Sequence, residues 1–245
     1  MHYHSTDTDM RARAARHLGA FKKAVHTLKE YYRGLPDTLQ PSHLPQLFPH
    51  HTHFTSLEDN REQCFEYVSQ PFDETLIFFG ELSNGQRVCI KFVRKYSKDA
   101  HLCCAALGCA PTLYGFETLP GGWFMVVMDA IGDDYVKLCD TNPTRSALER
   151  VRECLVRLHR ENYVHGDVRS SNIVVCQSDM NKVIVLDFDW AGKIGEVKYP
   201  MNVNRAWDLW RPEGAVDGGL ITAEHDMEML GCIEYKAARF WPRKE

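Results

Sequence analysis

The sequence predicts an α+β fold in two lobes, a small strand-rich lobe followed by a truncated helical lobe. Residues 75–93 hold two runs rich in β-branched and aromatic residues on either side of Asn84-Gly85, and Asn-Gly is a strong hairpin signal. After residue 132 the apolar residues recur at three- and four-residue steps, which is the period of a helix. This change of period places the boundary between the lobes near residue 131.

The bulk composition is typical of a globular protein. The chain has 245 residues, of which 44% are hydrophobic and 25% charged, so it can bury a sizeable core. Its formal net charge of −4 argues against nucleic acid or a membrane surface as a partner. We find no secretion signal and no membrane-spanning stretch, and we expect a cytoplasmic or nuclear protein, with a role as a host-delivered effector left open. The oligomeric state is not predicted.

We divide the chain into an N-terminal helix and Pro-rich strap over residues 1–50, a strand-rich lobe over residues 51–131 and a reduced helical lobe over residues 132–245. In the first part, apolar residues at helical spacing predict a helix over residues 9–33, which Gly34 ends. We expect the helix and the strap to cover core surface that a reduced helical lobe would leave exposed.

The remaining elements follow from local signals. A second hairpin turns at Gly121-Gly122, and a short helix is predicted over residues 97–107. Asn142-Pro143 opens a longer helix, because the missing N–H of proline costs nothing in a first turn. The predicted buried stripe of that helix consists of Ala147, Val151, Cys154, Leu155 and Leu158. Two short strands, residues 173–176 and 183–186, follow it.

The segment HGDVRSSN, residues 165–172, carries the strongest functional signal. Asp167 and Asn172 lie five positions apart, and Asp187 follows after a short hairpin, which is the order and spacing of a phosphoryl-transfer centre. In such a centre Asp167 accepts the proton of the attacking hydroxyl, while Asn172 and Asp187 hold the metal ion. Arg169 lies where a cation can contact the transferred phosphate.

A lysine on a strand is the second part of the predicted site. In the run VCIK, residues 88–91, strand alternation places Cys89 and Lys91 on the same face. Facing a cleft, Lys91 can bind the α- and β-phosphates of a nucleotide, whereas the alternative is a surface lysine on an edge strand. Asp99, in the first turn of the helix over residues 97–107, is the candidate carboxylate to orient Lys91. Its alternative role is the ordinary preference of an acidic residue for a helix N-terminus.

Further residues complete the predicted nucleotide and metal sites. Met128, Asp129, Ala130 and Ile131 follow the second hairpin and form a hinge whose backbone groups would contact adenine. Asp189, two positions after Asp187, stands where a glycine is usual in D-F-G. We leave open whether it adds a metal contact or is solvated.

Three features depart from the usual pattern of such centres. Residues 64–74 contain no glycine, where a Gly-rich phosphate loop would be expected. Gly166 replaces the arginine that normally receives a phosphate from the activation segment. Residues 191–209 contain no Ser or Thr, and Tyr199 is the one hydroxyl-bearing residue among them. We therefore expect no switching of this segment by Ser/Thr phosphorylation.

Two later motifs are weaker. Arg211-Pro212-Glu213 is a degraded form of A-P-E at a plausible distance from Asp187. Asp226 opens a predicted helix and is a candidate to fasten the backbone of the loop around His165, although an ordinary helix start would give the same pattern. The chain continues for 19 residues after Asp226, so we expect a helical lobe without most of the helices that dock protein substrates.

Taken together, residues 75–231 resemble the protein-kinase-like superfamily. The string over residues 186–200, LDFDWAGKIGEVKYP, with residues 224–230, EHDMEML, is similar to compact kinase-like proteins of mushroom-forming fungi. It also resembles the kinase-type C-terminal domains of Crinkler effectors. The resemblance implies a bilobal protein-kinase-like fold with ATP and Mg²⁺ bound between the lobes.

Three functions are consistent with these residues. A protein Ser/Thr kinase is favoured, which makes a protein the phosphoacceptor. A small-molecule kinase of the aminoglycoside-phosphotransferase type is supported by His-Gly-Asp at residues 165–167. A nucleotide-binding pseudokinase or scaffold is supported by the missing glycine loop and by Asp189. The presence of Lys91, Asp167, Asn172 and Asp187 together favours an enzyme.

Overall fold

The computed structural model describes residues 8–34, 48–71, 75–205 and 209–240. The chain divides into two compact units, Met1–Phe48 and Pro49–Glu245. In the first unit the described element is helix α1 (Thr8–Arg33), which agrees with the helix predicted over residues 9–33. The helix ends at Gly34, whose amide donates to the carbonyls of Glu30 and Tyr31 at 3.2 and 3.1 Å. Most of the predicted Pro-rich strap, residues 35–47, lies outside the described residues.

The second unit begins with a six-stranded antiparallel sheet. Its strands are β1 (His53–Thr55), β2 (Glu62–Ser69), β3 (Ile77–Leu82), β4 (Arg87–Val93), β5 (Leu113–Leu119) and β6 (Trp123–Asp129), in the order β1-β2-β3-β4-β6-β5. Both predicted hairpins are confirmed, because β3 pairs with β4 and β5 with β6. Their turns contain Gly85 at φ 82° and Gly121 and Gly122 at φ 77° and 74°, values that favour glycine.

Strand β4 shows the predicted alternation of faces. Val88 and Ile90 are fully buried at 0% exposure, whereas Cys89 and Lys91 are half-buried on the opposite face. Helix α2 (Lys98–Ala106) follows, and its N-cap Ser97 accepts a hydrogen bond from the amide of Ala100. The short helix predicted over residues 97–107 is therefore confirmed.

The helical half contains α3 (Arg145–Arg160) and α4 (Ala223–Phe240) with five short strands. These strands are β7 (Tyr135–Lys137), β8 (Tyr163–Val164), β9 (Ile173–Cys176), β10 (Val183–Val185) and β11 (Gly192–Lys193). They form a three-stranded sheet, β10-β9-β7, and a two-stranded one, β11-β8. All five residues of the stripe predicted for α3 are buried, and α3 shares an apolar core with α4, β9 and β10.

The start of α3 differs from the prediction. Thr144 is the N-cap, since its Oγ1 accepts a hydrogen bond of 3.1 Å from the amide of Ala147, and the helix begins at Arg145. Pro143 therefore precedes the cap instead of opening the first turn, and the Thr144 oxygen satisfies one of the amides that a first helical turn leaves without an intrahelical partner.

None of the helices among the described residues is both long and apolar enough to cross a lipid bilayer.

Candidate active site

A cavity of about 550 Å³ lies between the six-stranded sheet and the helical half, within the size range of small-molecule sites. Apolar side chains form much of its wall, among them Ile77, Phe79, Cys89, Met128, Val174 and Leu186. Lys91, Asn172 and Asp187 supply polar groups to the same cavity. The structure therefore brings the predicted lysine, asparagine and aspartate together across nearly a hundred positions of sequence.

Lys91 is held by two carboxylates. Its Nζ donates to Asp187 Oδ1 at 2.7 Å and to Asp189 Oδ1 at 2.6 Å. Burial alone would lower the pKa of Lys91, but the two aspartates outweigh that effect and raise it. Lys91 is therefore a fixed cation with its ammonium group inside the cavity.

The two aspartates respond differently to this cation. Burial would raise the pKa of Asp187, but Lys91 holds it below the usual range. For Asp189, burial and the neighbouring charge of Asp187 outweigh the attraction of Lys91 and raise the pKa to about 7. Asp187 also has φ 70°, a left-handed conformation that aspartate tolerates better than most residues. That conformation points to a functional constraint at this position.

The prediction that Asp99 orients Lys91 is wrong for this structure. Asp99 is exposed in the first turn of α2, and its Oδ2 accepts a hydrogen bond of 3.3 Å from the Tyr163 hydroxyl. The partners of Lys91 come instead from the segment after β10. The physical reason is that Asp99 lies on the exposed side of α2, whereas the ammonium group of Lys91 is bound by two other carboxylates inside the cavity.

The predicted base and its neighbours lie in one hydrogen-bonded loop. Asn172 Nδ2 donates to the Asp167 carbonyl at 3.0 Å and to Asp167 Oδ2 at 2.9 Å. Arg169 Nε lies 3.0 Å from the same Oδ2, without the alignment of a hydrogen bond. The Asp167 carboxylate is buried, so these cationic and amide neighbours compensate part of the cost of burying its charge.

Arg211 is the site residue that the sequence did not identify. Its Nη2 donates to Asp167 Oδ1 at 2.7 Å, and its Nε donates to the Asn204 carbonyl at 2.8 Å. The guanidinium also lies 4.7 Å from the ring centroid of Trp190, in a cation–π contact. The side chain is 2% exposed, so Asp167 and Arg211 form a buried ion pair. In the sequence, Arg211 was visible as an arginine in place of the alanine of A-P-E. That substitution indicated a degraded motif and gave no sign of a contact with Asp167.

Asp226 anchors the loop that carries Asp167. Its two carboxylate oxygens accept the amide N–H groups of His165 and Gly166, each at 2.8 Å, and His159 Nε2 lies 3.0 Å from Oδ2. Asp226 itself is fully buried at 0% exposure. The prediction that this residue fastens the loop backbone is confirmed.

The glycine in His-Gly-Asp has a local structural cause. Gly166 has φ 82°, and a Cβ at this position would lie 2.8 Å from Ile221 Cδ1 and 3.0 Å from the Trp190 carbonyl oxygen. Neither the backbone conformation nor the space admits a larger side chain. The replacement of the usual arginine is therefore built into the packing of this loop.

Three rings connect α2 to the loops of the site. His101 stacks on Phe188 with ring centroids 4.7 Å apart, and Phe188 meets His165 edge-on at 5.2 Å. His101 Nε2 lies 2.8 Å from the Pro111 carbonyl and must be the protonated nitrogen, so Nδ1 accepts from the Tyr96 hydroxyl at 2.7 Å. Burial lowers the pKa of His101 to about 4, which is consistent with a neutral ring.

Three of the four predicted hinge residues border the cavity. Met128, Asp129 and Ile131 line it. The amide N–H groups of Asp129 and Ala130 donate to the carbonyls of Thr112 and Arg87, at 2.9 and 3.4 Å. These two amides are thus already hydrogen-bonded within the protein. Of the four hinge residues predicted to contact adenine, Ala130 is the one that does not line the cavity.

The donor set suits a hard divalent cation that also binds phosphate oxygens. Among the described residues, no group of three or more His, Cys, Asp or Glu is arranged to hold a metal ion on its own. Asp187, Asp189 and Asn172 nevertheless offer side-chain oxygen atoms. Mg²⁺ commonly binds one or two carboxylates and completes its shell with phosphates and water. The residues present fit that mode.

Residues 191–209 offer no accessible hydroxyl group for phosphorylation among those that the structure describes. Tyr199 is 2% exposed, its ring meets Trp190 edge-on, and its hydroxyl lies 3.2 Å from His225 Nδ1. Burial also raises the pKa of the Tyr199 phenol. The one hydroxyl-bearing side chain of residues 191–209 is therefore packed into the core.

Comparisons with known proteins agree with this architecture. No protein-family model matches the chain. Among curated proteins, the B1 kinases of vaccinia virus (strain Western Reserve) and monkeypox virus are each 30% identical over 81 residues. The matched segment is 30% of this chain and 27% of the viral kinase, so the chain spans about a quarter of the length of these relatives.

Two solved structures share the fold at low sequence identity. The kinase PK-1 of the Cydia pomonella granulovirus has a TM-score of 0.57 and 18% identity, over 71% of this chain and 67% of that one. Vaccinia related kinase 3 has a TM-score of 0.53 and 17% identity, over 81% of this chain and 71% of that one. The narrower resemblance to compact fungal kinases and Crinkler domains stays a prediction. The chain has a bilobal protein-kinase-like fold, as the sequence predicted.

Proposed function

We propose that this protein is a phosphotransferase that uses ATP and Mg²⁺ and acts on protein Ser or Thr hydroxyl groups. The observation that carries the proposal is the convergence of Lys91, Asn172 and Asp187 on one cavity, with Asp167 hydrogen-bonded to Asn172. Phosphoryl transfer depends on positioning and charge neutralisation, and these groups supply both.

Each residue has a distinct role in this proposal. Lys91, fixed by its two aspartates, binds the α- and β-phosphates. The apolar side chains of the cavity wall, among them Ile77 and Met128, enclose adenine. Asp187 and the amide oxygen of Asn172 hold Mg²⁺, and Asp189 is a further candidate ligand. Mg²⁺ held by these residues would neutralise charge on the phosphates of the nucleotide.

Asp167 orients the attacking hydroxyl and accepts its proton. Its Oδ1 is bound by Arg211, so the hydroxyl approaches Oδ2, which accepts one hydrogen bond from Asn172 and has the loosely aligned Arg169 beside it. The acceptor hydroxyl then displaces Arg169 from Oδ2, and the guanidinium turns to the transferred phosphate. This exchange gives Arg169 a role in both the free and the reacting enzyme.

The decisive experiment separates binding from turnover. Asp167→Ala protein should bind Mg-ATP with an affinity close to that of the parent, measured as the rise in melting temperature with ligand concentration. It should lose phosphoryl transfer by a factor of about 10³ or more. A parent that raises its melting temperature with Mg-ATP but shows no turnover with proteins or metabolites would be a pseudokinase.

A small-molecule acceptor is the second candidate. The observation in its favour is Gly166, which the packing of the loop requires. Kinases that are activated by phosphorylation have an arginine at this position. Autophosphorylation detected by mass spectrometry would support the protein kinase, and ATP hydrolysis stimulated by one member of a metabolite panel would support the second candidate.

A further inference from the structure

Helix α1 is charged oppositely to the rest of the chain. Its 26 residues contain seven Lys and Arg against two acidic residues, a net charge of +5. The whole chain has a net charge of −4, so the remaining residues together carry −9. The bulk charge, which argued against a membrane partner, conceals this strongly basic segment.

The same helix exposes a continuous apolar stripe. Leu18, Phe21, Leu28 and Tyr32 are 68%, 69%, 52% and 64% exposed, and spacings of three, four and seven residues place them on one face. No residue of α1 is buried. Isolated exposed apolar residues are ordinary, but a row of them along one helix marks an interaction surface.

Basic side chains border this stripe along one edge. Met10, which lies on the same face by its spacing of 11 and 18 residues to Phe21 and Leu28, is followed directly by Arg11. Phe21, Leu28 and Tyr32 are likewise followed by Lys22, Lys29 and Arg33. Successive residues differ by about 100° around a helix, so the four cations form a row beside the apolar stripe. Long basic side chains in that position can keep their stems in an apolar medium and their charges at its surface.

We propose that α1 binds the surface of a lipid bilayer that contains anionic lipid. The apolar stripe enters the boundary between headgroups and acyl chains, and the basic row contacts lipid phosphate and carboxylate groups. Each basic residue near such a surface contributes roughly a fivefold gain in affinity. The helix lies along the bilayer and does not cross it.

The same features disfavour a second copy of the chain as the occupant. Coiled-coil spacing extends from Ala14 to Tyr32, which is fewer than three heptads. Gly19 lies within that range and weakens the helix. Lys22 and Lys29 flank the stripe, and two helices that each carry +5 repel each other. The negative charge of an anionic bilayer surface is complementary to the +5 charge of α1. Binding to such a surface also needs no helix-to-helix register.

Sedimentation of the full-length protein with lipid vesicles tests the proposal. We expect the protein to bind vesicles of phosphatidylcholine with about one third phosphatidylserine at least tenfold more tightly than phosphatidylcholine alone. Binding should weaken as salt is raised, because exposed charges are screened. The variant Leu18→Gln/Phe21→Gln/Leu28→Gln, which keeps the charge of α1, should lose at least tenfold in affinity.

A matched variant controls for exposed apolar area elsewhere. Val68, Leu76 and Met201 are 61%, 46% and 73% exposed in the second unit, and replacing all three with Gln should leave vesicle binding unchanged. The proposal is overturned if the parent fails to bind anionic vesicles at low salt, or if both triple variants bind equally. A dimer in light scattering that depends on Leu18 and Phe21, or capture of α1 by calmodulin in place of vesicles, would assign the stripe to a protein partner and also overturn it.

Discussion

Arg211 Nη2 donates a 2.7 Å hydrogen bond to Oδ1 of Asp167, from 44 positions further along the chain. The pair is almost inaccessible to solvent, with the two side chains 2% and 7% exposed. A buried carboxylate of this kind requires a compensating charge, and here the compensating charge comes from the segment just before α4. The arrangement links the conformation of that segment to the orientation of the proposed base.

Replacing Arg211 with methionine should destabilise the protein by about 3–5 kcal/mol, because it leaves the Asp167 charge buried with weaker compensation. Part of that loss should be recovered in the double variant Arg211→Met/Asp167→Asn, which removes the charge. Urea unfolding of the parent, Arg211→Met, Asp167→Asn and the double variant measures the coupling between the two residues. As a control, Arg152→Met breaks a half-exposed pair with Glu234 and should cost less than about 1 kcal/mol. Equal losses from Arg211→Met and Arg152→Met would contradict the prediction.

The two carboxylates on Lys91 give a prediction for nucleotide affinity. Asp189→Asn weakens one of the two bonds that fix the ammonium group, and the affinity for ATP should fall about tenfold. Asp99→Asn, at the position first expected to orient Lys91, should change it by less than about twofold, which is within the effect of an exposed charge. Isothermal titration calorimetry would compare the two variants. A larger effect of Asp99→Asn would restore the role assigned to it from the sequence.

His101 should make the stability of the fold depend on pH. Its pKa is lowered from 6.5 to about 4 in the folded protein, so between these values the unfolded chain binds the additional proton. Stability is then complete above pH 6.5 and is lost as the pH falls towards 4, by up to roughly 3 kcal/mol. His101→Phe keeps a ring against Phe188 and should remove this slope. Denaturant unfolding at several pH values tests it, and an unchanged slope in the variant would place the titration elsewhere.

Asp226 should be important for stability through the two amides that it accepts. Asp226→Ala leaves the N–H groups of His165 and Gly166 buried without an acceptor, at a cost of about 2–4 kcal/mol. Asp226→Asn keeps one oxygen acceptor and should lie between parent and alanine variant. Asp217 also accepts two amides, those of Asn202 and Val203, but it is exposed, and Asp217→Ala should cost less than about 1 kcal/mol because water replaces it. Thermal unfolding ranks the variants, and a reversed order would be inconsistent with this account.

The parts of the fold that were predicted from sequence rest on local signals. Gly85, Gly121 and Gly122 adopt positive φ angles, which glycine tolerates best, so each turn is readable without knowledge of the rest. The stripe of α3 follows from periodicity in the same way. Strands β1 and β2 carry no comparable turn signal and were not predicted. Their place in the sheet depends on pairing with β3, which is a non-local contact.

The site shows the same division between local and tertiary information. Spacing alone identified Asp167, Asn172 and Asp187, because a short loop and a hairpin fix their relation. It did not identify Arg211, whose contact with Asp167 depends on how the segment before α4 packs. It also selected Asp99 over Asp187 as the partner of Lys91, since sequence offers the nearest acid on a helix. Which carboxylate reaches a cation is decided by the packed structure.

The ring stack that joins His101, Phe188 and His165 has a kinetic consequence. His101 belongs to α2 beside the sheet, while His165 belongs to the loop anchored on α4, so three fully buried rings connect α2 to that loop. Any movement of α2 away from that loop must slide or part the rings. If the proposed kinase releases ADP by that movement, the residence time of ADP would report on the contact between the His101 and Phe188 rings.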